Sequence, residues 1–140
     1  MSAAMTMRAR GTFEVKLTPV ATDEKPGITT LGRLSIEKQY RGDLDATSVG
    51  EMLSAMTSTK GSAGYVAIER VTGTLHGRSG TFVLQHHGIM NRGDGTLIVG
   101  IVPDSGTDRL AGLAGNMKII IEGGKHVYEL EYTVTEGAVT

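Results

Sequence analysis

The chain has 140 residues, enough for one domain that buries about two thirds of the surface its unfolded form exposes, with no need of a disulfide or structural metal. Hydrophobic residues make up 39% and charged residues 21%, a globular composition, and the absence of cysteine excludes disulfides, thiolate metal sites, iron–sulfur clusters and a cysteine nucleophile. Lys+Arg 14 against Asp+Glu 15 leaves a net charge of −1 with no block of like charge, and two Phe, four Tyr and no Trp provide neither a phosphate-binding footprint nor a stacking platform, so nucleic acid is not an expected partner.

The N-terminal stretch Met1–Met7 lacks the basic and apolar regions of a signal peptide, and no apolar run approaches the ~20 residues of a membrane helix. The expectation is a cytoplasmic protein with no membrane partner, a single domain over residues 1–140, with residues 1–8 a flexible or edge segment. The first strand is expected over Thr12–Val20, where Phe13, Val15 and Leu17 alternate with Thr12, Glu14 and Lys16. A loop, Ala21–Gly27, leads to a long strand over Ile28–Leu44, bent at Gly32 or Gly42. Ser48–Thr59 has a short helical face in Met52, Leu53 and Met56, yet a strand is favoured because of an internal echo. Gly42, Leu44, Ser48 and Leu53 recur at a constant offset as Gly73, Leu75, Ser79 and Leu84. The echo predicts two equivalent hairpins, with turns near Asp45–Thr47 and His76–Arg78.

Further strands are expected over Tyr65–His76, Thr81–Asn91 and Thr96–Pro103. Asn91–Gly95 is a hairpin turn, with Asp94 and Gly95 supplying the positive dihedrals. Its Arg92-Gly93-Asp94 spells an adhesion motif, but a hairpin tip is the better account. Asp104–Gly115 reads as a loop with one helical turn at Asp108–Leu113. Lys118–Glu122 and His126–Val134 form the last hairpin, around Gly123 and Gly124. Twenty dispersed glycines against three prolines punctuate these segments as turns and bends. The sum is all-β: a closed antiparallel barrel of roughly eight strands, lipocalin-like in size.

Three stretches carry a resemblance. Tyr65–His86, Val102–Gly115 and Tyr40–Leu44 together look like a family of small bacterial proteins carried as a domain of unknown function. The resemblance implies an antiparallel barrel similar to that of allene oxide cyclase. For activity it implies little, and a shared barrel does not make a cyclase. Asp108-Arg109-Leu110 departs from the glycine-richer form of the second stretch, a change of loop rather than of fold.

The densest chemistry lies in the run from Gly77 to Gly88. Alternation places Phe82, Leu84, His86, Gly88 and Met90 on one face and Val83, Gln85, His87, Ile89 and Asn91 on the other. The first face is the more apolar and is assigned to the interior. His86 would there be a desolvated imidazole able to bond a carbonyl or hydroxyl, or else a core histidine paired with a Glu, a Tyr or the backbone. On the preceding strand Glu69 and Arg70 point to opposite faces, and one of them should face inward. Glu69 beside a lumen histidine could act as base or orienter, or form an interior ion pair. Glu129 and Glu131 fall on the solvated face, and Tyr128 and Tyr132 on the core face. The candidate ligand-binding residues are His86, Glu69, Tyr65, Arg70, Gln85 and Tyr128.

Neighbouring His86 and His87 point to opposite faces and cannot share one ion, so no metal is expected. Gly106–Gly115 lacks the Lys-Ser/Thr ending of a phosphate loop, and Ser79 lacks the context of a nucleophile, so no cofactor is expected. The leading functional reading is a barrel that binds a small, mostly apolar molecule. The alternatives are a cyclase- or isomerase-type enzyme using His86 and Glu69, and a packed barrel acting through self-association. A homo-oligomer is expected, because sheet edges and broad apolar faces must be covered.

Overall fold

The computed structural model describes residues 5–135. Eight strands follow in chain order: β1 (Met7–Asp23), β2 (Thr30–Gly42), β3 (Leu44–Met56), β4 (Ala63–Leu75), β5 (Arg78–Asn91), β6 (Asp94–Ile101), β7 (Ala114–Glu122) and β8 (Lys125–Thr133). Each pairs antiparallel with the next, and β8 returns to β1 to close a barrel. Among the described residues the only helix is a 3-10 turn, Asp108–Leu110, and no helix is long and apolar enough to cross a membrane.

The strands form because apolar and polar residues alternate with period two, so one face of every strand can be buried at once. Phe13 on β1, Ile36 and Tyr40 on β2, Val71 on β4, Phe82 and Leu84 on β5, and Leu130 and Tyr132 on β8 all turn inward and are buried. Ser48–Thr59 resolves as strand up to Met56, since its inward set Ser48, Gly50, Met52 and Ser54 keeps period two rather than a helical stripe. The 3-10 turn drops Leu110 and Leu113 into the core. It belongs to a segment that runs along the first part of β5: the Val102 and Thr107 amides donate to the Val83 and Thr81 carbonyls.

Four expectations are corrected. Ile28–Leu44 is not one bent strand: Asp43 breaks it, and β3 runs back along β2 with Tyr40 opposite Ala46. The turn of that hairpin therefore falls at Gly42 and Asp43, not at Asp45–Thr47. Its counterpart is at His76 and Gly77. Gly42–Leu53 is thus essentially one strand while Gly73–Leu84 is strand–turn–strand, and the internal echo has no structural equivalent. In the β5–β6 hairpin it is Arg92 and Gly93 that take the positive φ, at 50° and 95°, rather than Asp94 and Gly95; the adhesion-like triplet is a hairpin tip. The N-terminal segment enters the sheet earlier than expected, at Met7, and residues 1–4 lie outside the described residues.

The barrel has two unlike ends. At one, the β2–β3 corner, the β4–β5 turn and the 3-10 segment close over Leu44, Leu75, Leu110 and Leu113. At the other, the four hairpin loops β1–β2, β3–β4, β5–β6 and β7–β8 surround a mouth. There β6 and β7 pair only through Val99–Met117 and Gly100–Asn116, so their mouth-side halves are not joined to each other.

Tyr128 fastens the closed end. Its hydroxyl accepts from the Leu44 amide at 2.8 Å and lies 3.0 Å and 3.2 Å from the Arg41 and Leu44 carbonyls. Burial first, then the nearby Asp43 and Asp45 charges, push its phenol up against the opposing Leu44 hydrogen bond. Tyr128→Phe should strand the buried Leu44 amide and cost about 1–3 kcal/mol of stability in urea denaturation, without affecting anything bound at the mouth.

Candidate functional site

The centre of the barrel holds a polar cluster built from three adjoining positions of the sheet. Glu69, on β4, points inward and has no exposed surface. His86, on β5, is its diagonal neighbour, because Ala67 pairs with His86 and Glu69 with Leu84. Lys38, on β2, reaches Glu69 across β3. That crossing depends on Gly50, which pairs with Ile36 on one side and Glu69 on the other. A Cβ at Gly50 would lie 2.0 Å from the Ile68 carbonyl oxygen and 2.9 Å from Glu69 Cβ, so only glycine lets the strands approach here and leaves the space above it to the lysine.

Glu69 is saturated by donors. Lys38 Nζ donates to Oε2 at 2.8 Å, the Tyr40 hydroxyl to Oε1 at 2.6 Å, and His86 Nε2 lies 2.6 Å from Oε2. Burial alone would push the Glu69 carboxyl up. The His86 hydrogen bond, the Lys38 ammonium and the Tyr40 hydroxyl outweigh it and hold the carboxyl at about 2, below its ordinary 4.5. Glu69 is therefore ionised and can only accept, which assigns a proton to His86 Nε2; in the neutral form of the ring, Nδ1 is then the acceptor. Nδ1 faces the Tyr65 hydroxyl at 3.4 Å. Lys38 Nζ also donates to the Tyr40 hydroxyl at 3.4 Å and lies over the Phe13 ring, 4.7 Å from its centroid, which further supports the buried cation. Tyr40, buried and beside the Glu69 charge, has its phenol pushed far up and stays a donor. Ser48, the cross-strand partner of Lys38, is buried with an unpartnered hydroxyl.

Tyr65 links this cluster to the mouth. It pairs with Gly88, and a Cβ at Gly88 would lie 2.4 Å from Tyr65 Cε1. The missing side chain lets the phenol lie flat on β5 and extend to His86, two residues further along the same face. Above Tyr65 the barrel opens into a cavity of about 380 Å³ whose wall includes Met52, Ser54, Met56, Met90 and Leu97 and carries no Asp, Glu, Lys or Arg.

Of the six residues singled out from sequence, the structure brings together three: Glu69, His86 and Tyr65. Arg70 and Gln85 are exposed on the outer surface, since each follows or precedes an inward residue by one position. Tyr128 is interior, but its hydroxyl is committed to the backbone at the opposite end. Two central residues were missed, Lys38 and Tyr40. The period-two series Ile36, Lys38, Tyr40 did carry the signal, a lysine on an apolar face. Reading Ile28–Leu44 without assigning its faces hid it. His76 and His126 are engaged elsewhere, with Tyr132 and Phe13 respectively.

The model of a family described as "Protein of unknown function (DUF3224)" matches residues 9–132. The chain belongs to this family. It is similar to the crystal structure of a DUF3224 protein of unknown function from Shewanella oneidensis MR-1, with 50% sequence identity and a TM-score of 0.90, covering 95% of this chain and 100% of that one. No functionally curated protein matches.

Two outcomes test the cluster. Between about 2 and 4.5 the unfolded chain binds a proton that folded Glu69 refuses. The stability Glu69 contributes is thus complete above pH 4.5 and lost as pH falls through 2. Urea midpoints should fall more steeply in that window for the DUF3224 protein than for its Glu69→Gln variant. At neutral pH, Lys38→Met and Glu69→Gln should each cost about 3–5 kcal/mol, because each strands a buried group. The double variant should cost clearly less than their sum; strict additivity in the same denaturation series would show that the two do not act as a pair.

Proposed function

We propose that this DUF3224 protein binds a small, neutral, mostly apolar molecule in the mouth of the barrel, with the Tyr65 hydroxyl as its polar anchor. The observation that carries this reading is the apolar cavity of about 380 Å³ ending on a tyrosine whose hydroxyl meets a buried histidine. The size and the pattern of an apolar wall with one or two convergent polar groups are those of ligand pockets. An uncharged wall, with the Lys38 charge already neutralised by Glu69, favours a neutral guest over a carboxylate. Met52, Met56 and Met90 give the rim adaptable side chains suited to planar or irregular apolar shapes. β6, whose mouth-side half is not paired with β7, contributes Gly95, Thr96 and Leu97 to the same wall.

Self-association is a second reading carried by a separate surface. Leu31, Leu53, Val66, Ile68, Ile89 and Ile98 are exposed on the outer face of β2–β6, where a second copy would remove them from water.

Thermal-shift measurements with neutral aromatic ketones, lactones and polyenes test the mouth. A stabilising guest at a hundred times its Kd should add about 2.7 kcal/mol. Leu97→Glu should abolish the shift while leaving the fold intact, because that position lies near the rim. If no neutral guest binds, or if binding survives Leu97→Glu, the mouth is not the site.

A further inference from the structure

The chain of hydrogen bonds beneath the mouth has a direction. Glu69, pinned by Lys38 and Tyr40, accepts from His86 Nε2–H, and the Tyr65 hydroxyl faces the other ring nitrogen, Nδ1, at 3.4 Å, where it donates when that nitrogen carries no proton. Its inner members are shut from water, with His86 3% and Glu69 0% exposed. Only Tyr65 reaches the cavity, where it is the sole titratable side chain on the wall. A purely structural histidine needs no phenol on its second nitrogen from a residue that also forms part of a cavity wall. This one is held in a single tautomer by an ionised carboxylate, the arrangement in which an imidazole takes a proton through a hydroxyl.

We propose that Tyr65 is the catalytic residue of a one-base proton shuttle that converts a neutral β,γ-unsaturated ketone, bound in the mouth, into its α,β-unsaturated isomer. The proposal rests on the mouth-binding reading. In the first step the C–H bond alpha to the carbonyl breaks. Its proton goes to the Tyr65 oxygen as the phenolic proton passes to His86 Nδ1, and the electron pair enters the dienolate. The imidazolium that forms faces the Glu69 carboxylate. The reverse transfer delivers the proton from Tyr65 to the γ carbon, and His86 returns a proton to the phenolate oxygen. Substrate and product have one formula, and no oxidant or co-reactant is needed. The substrate class follows from the geometry: with a single acid–base group on the wall, the proton must leave and return on one face, which restricts the reaction to a short shift within reach of one hydroxyl. Ser54, the cross-strand partner of Tyr65 on the same wall, provides the donor for the carbonyl oxygen as charge develops there. Burial and the Glu69 charge push the Tyr65 phenol up, which keeps it protonated between turnovers.

The test uses the full chain with 3-cyclohexen-1-one and 1-phenyl-3-buten-1-one, following the conjugated enone by absorbance and binding by thermal shift. The wild type should accelerate conversion above the buffer rate. Tyr65→Phe should lose about 10²-fold or more in kcat with KM little changed, the size expected for one positioned acid–base group. His86→Gln should show the same split of kcat from KM, which a role in packing alone would not produce. Gly88→Ala keeps every chemical group but crowds the Tyr65 ring away from His86, and should lose kcat as well. Arg70→Ala, on the outer surface, should leave the rate unchanged. With substrate dideuterated at the alpha carbon in ordinary water, part of the label should reappear at the γ carbon, because the relay is sealed. Ketones that bind but convert at the buffer rate, or a rate retained in Tyr65→Phe, would overturn the shuttle and leave the binding reading standing. Failure of both ketones to bind or react would overturn both.

Discussion

A carboxylate withdrawn completely from water must be matched bond for bond, and Glu69 sets the layout of this barrel's interior. Its Oε2 takes Lys38 and His86, and its Oε1 takes Tyr40. Those donors come from β2 and β5, so the cluster ties both strands to Glu69 on β4, β2 reaching it across β3. Removing one partner leaves an uncompensated charge in an apolar surround, a far larger penalty than losing the same contact at the surface. The exposed pairs elsewhere, Arg33 with Glu51 or Arg8 with Glu131, are solvated on both sides and carry little comparable weight.

The strands can meet that demand because of what is missing. Gly50 removes a side chain beside Glu69 and Gly88 removes one beneath Tyr65. The first opens the passage for the Lys38 ammonium, and the second lays the phenol against β5. A glycine inside a strand weakens it locally, yet here the long flanking ladders, from thirteen to seventeen residues in β1 to β4, hold the sheet. The cost is therefore local and the gain is a polar centre that fits without a strand break.

The two ends then diverge. Tyr128 spends its hydroxyl on the Arg41–Leu44 corner, and leucines fill the closed end. Tyr65 turns its hydroxyl inward to His86, while the residue itself forms part of the uncharged wall at the open end. Two tyrosines on inward faces of the same sheet thus have different chemistry, decided by what each hydroxyl meets: a backbone corner for Tyr128 and a buried imidazole for Tyr65. A neutralised cluster under an apolar mouth makes a setting in which a proton can move with little competition from solvent.

Period-two alternation by itself determined that the chain is all-β, that Phe82, Leu84 and His86 share the buried face, and that Glu69 and Arg70 part company. These are local properties, because adjacent residues of a strand must point to opposite sides wherever the strand lies. Alternation along Ile36, Lys38 and Tyr40 was equally legible, and those residues were missed only because no face was assigned to that segment. The hairpin register was not legible. The repeated Gly42 and Gly73 spelling suggested equal turns, but the turn at Gly42 and Asp43 follows from which β2 and β3 residues can pair while keeping both inward sets buried. The partners of Glu69 could not be read from spacing either. Lys38 is two strands away, and only the register of β2, β3 and β4, with the glycine Gly50 between them, brings ammonium to carboxylate. The role of Tyr128 belongs to tertiary structure for the same reason: its hydroxyl meets a backbone corner on the far side of the chain, and no local pattern records that encounter.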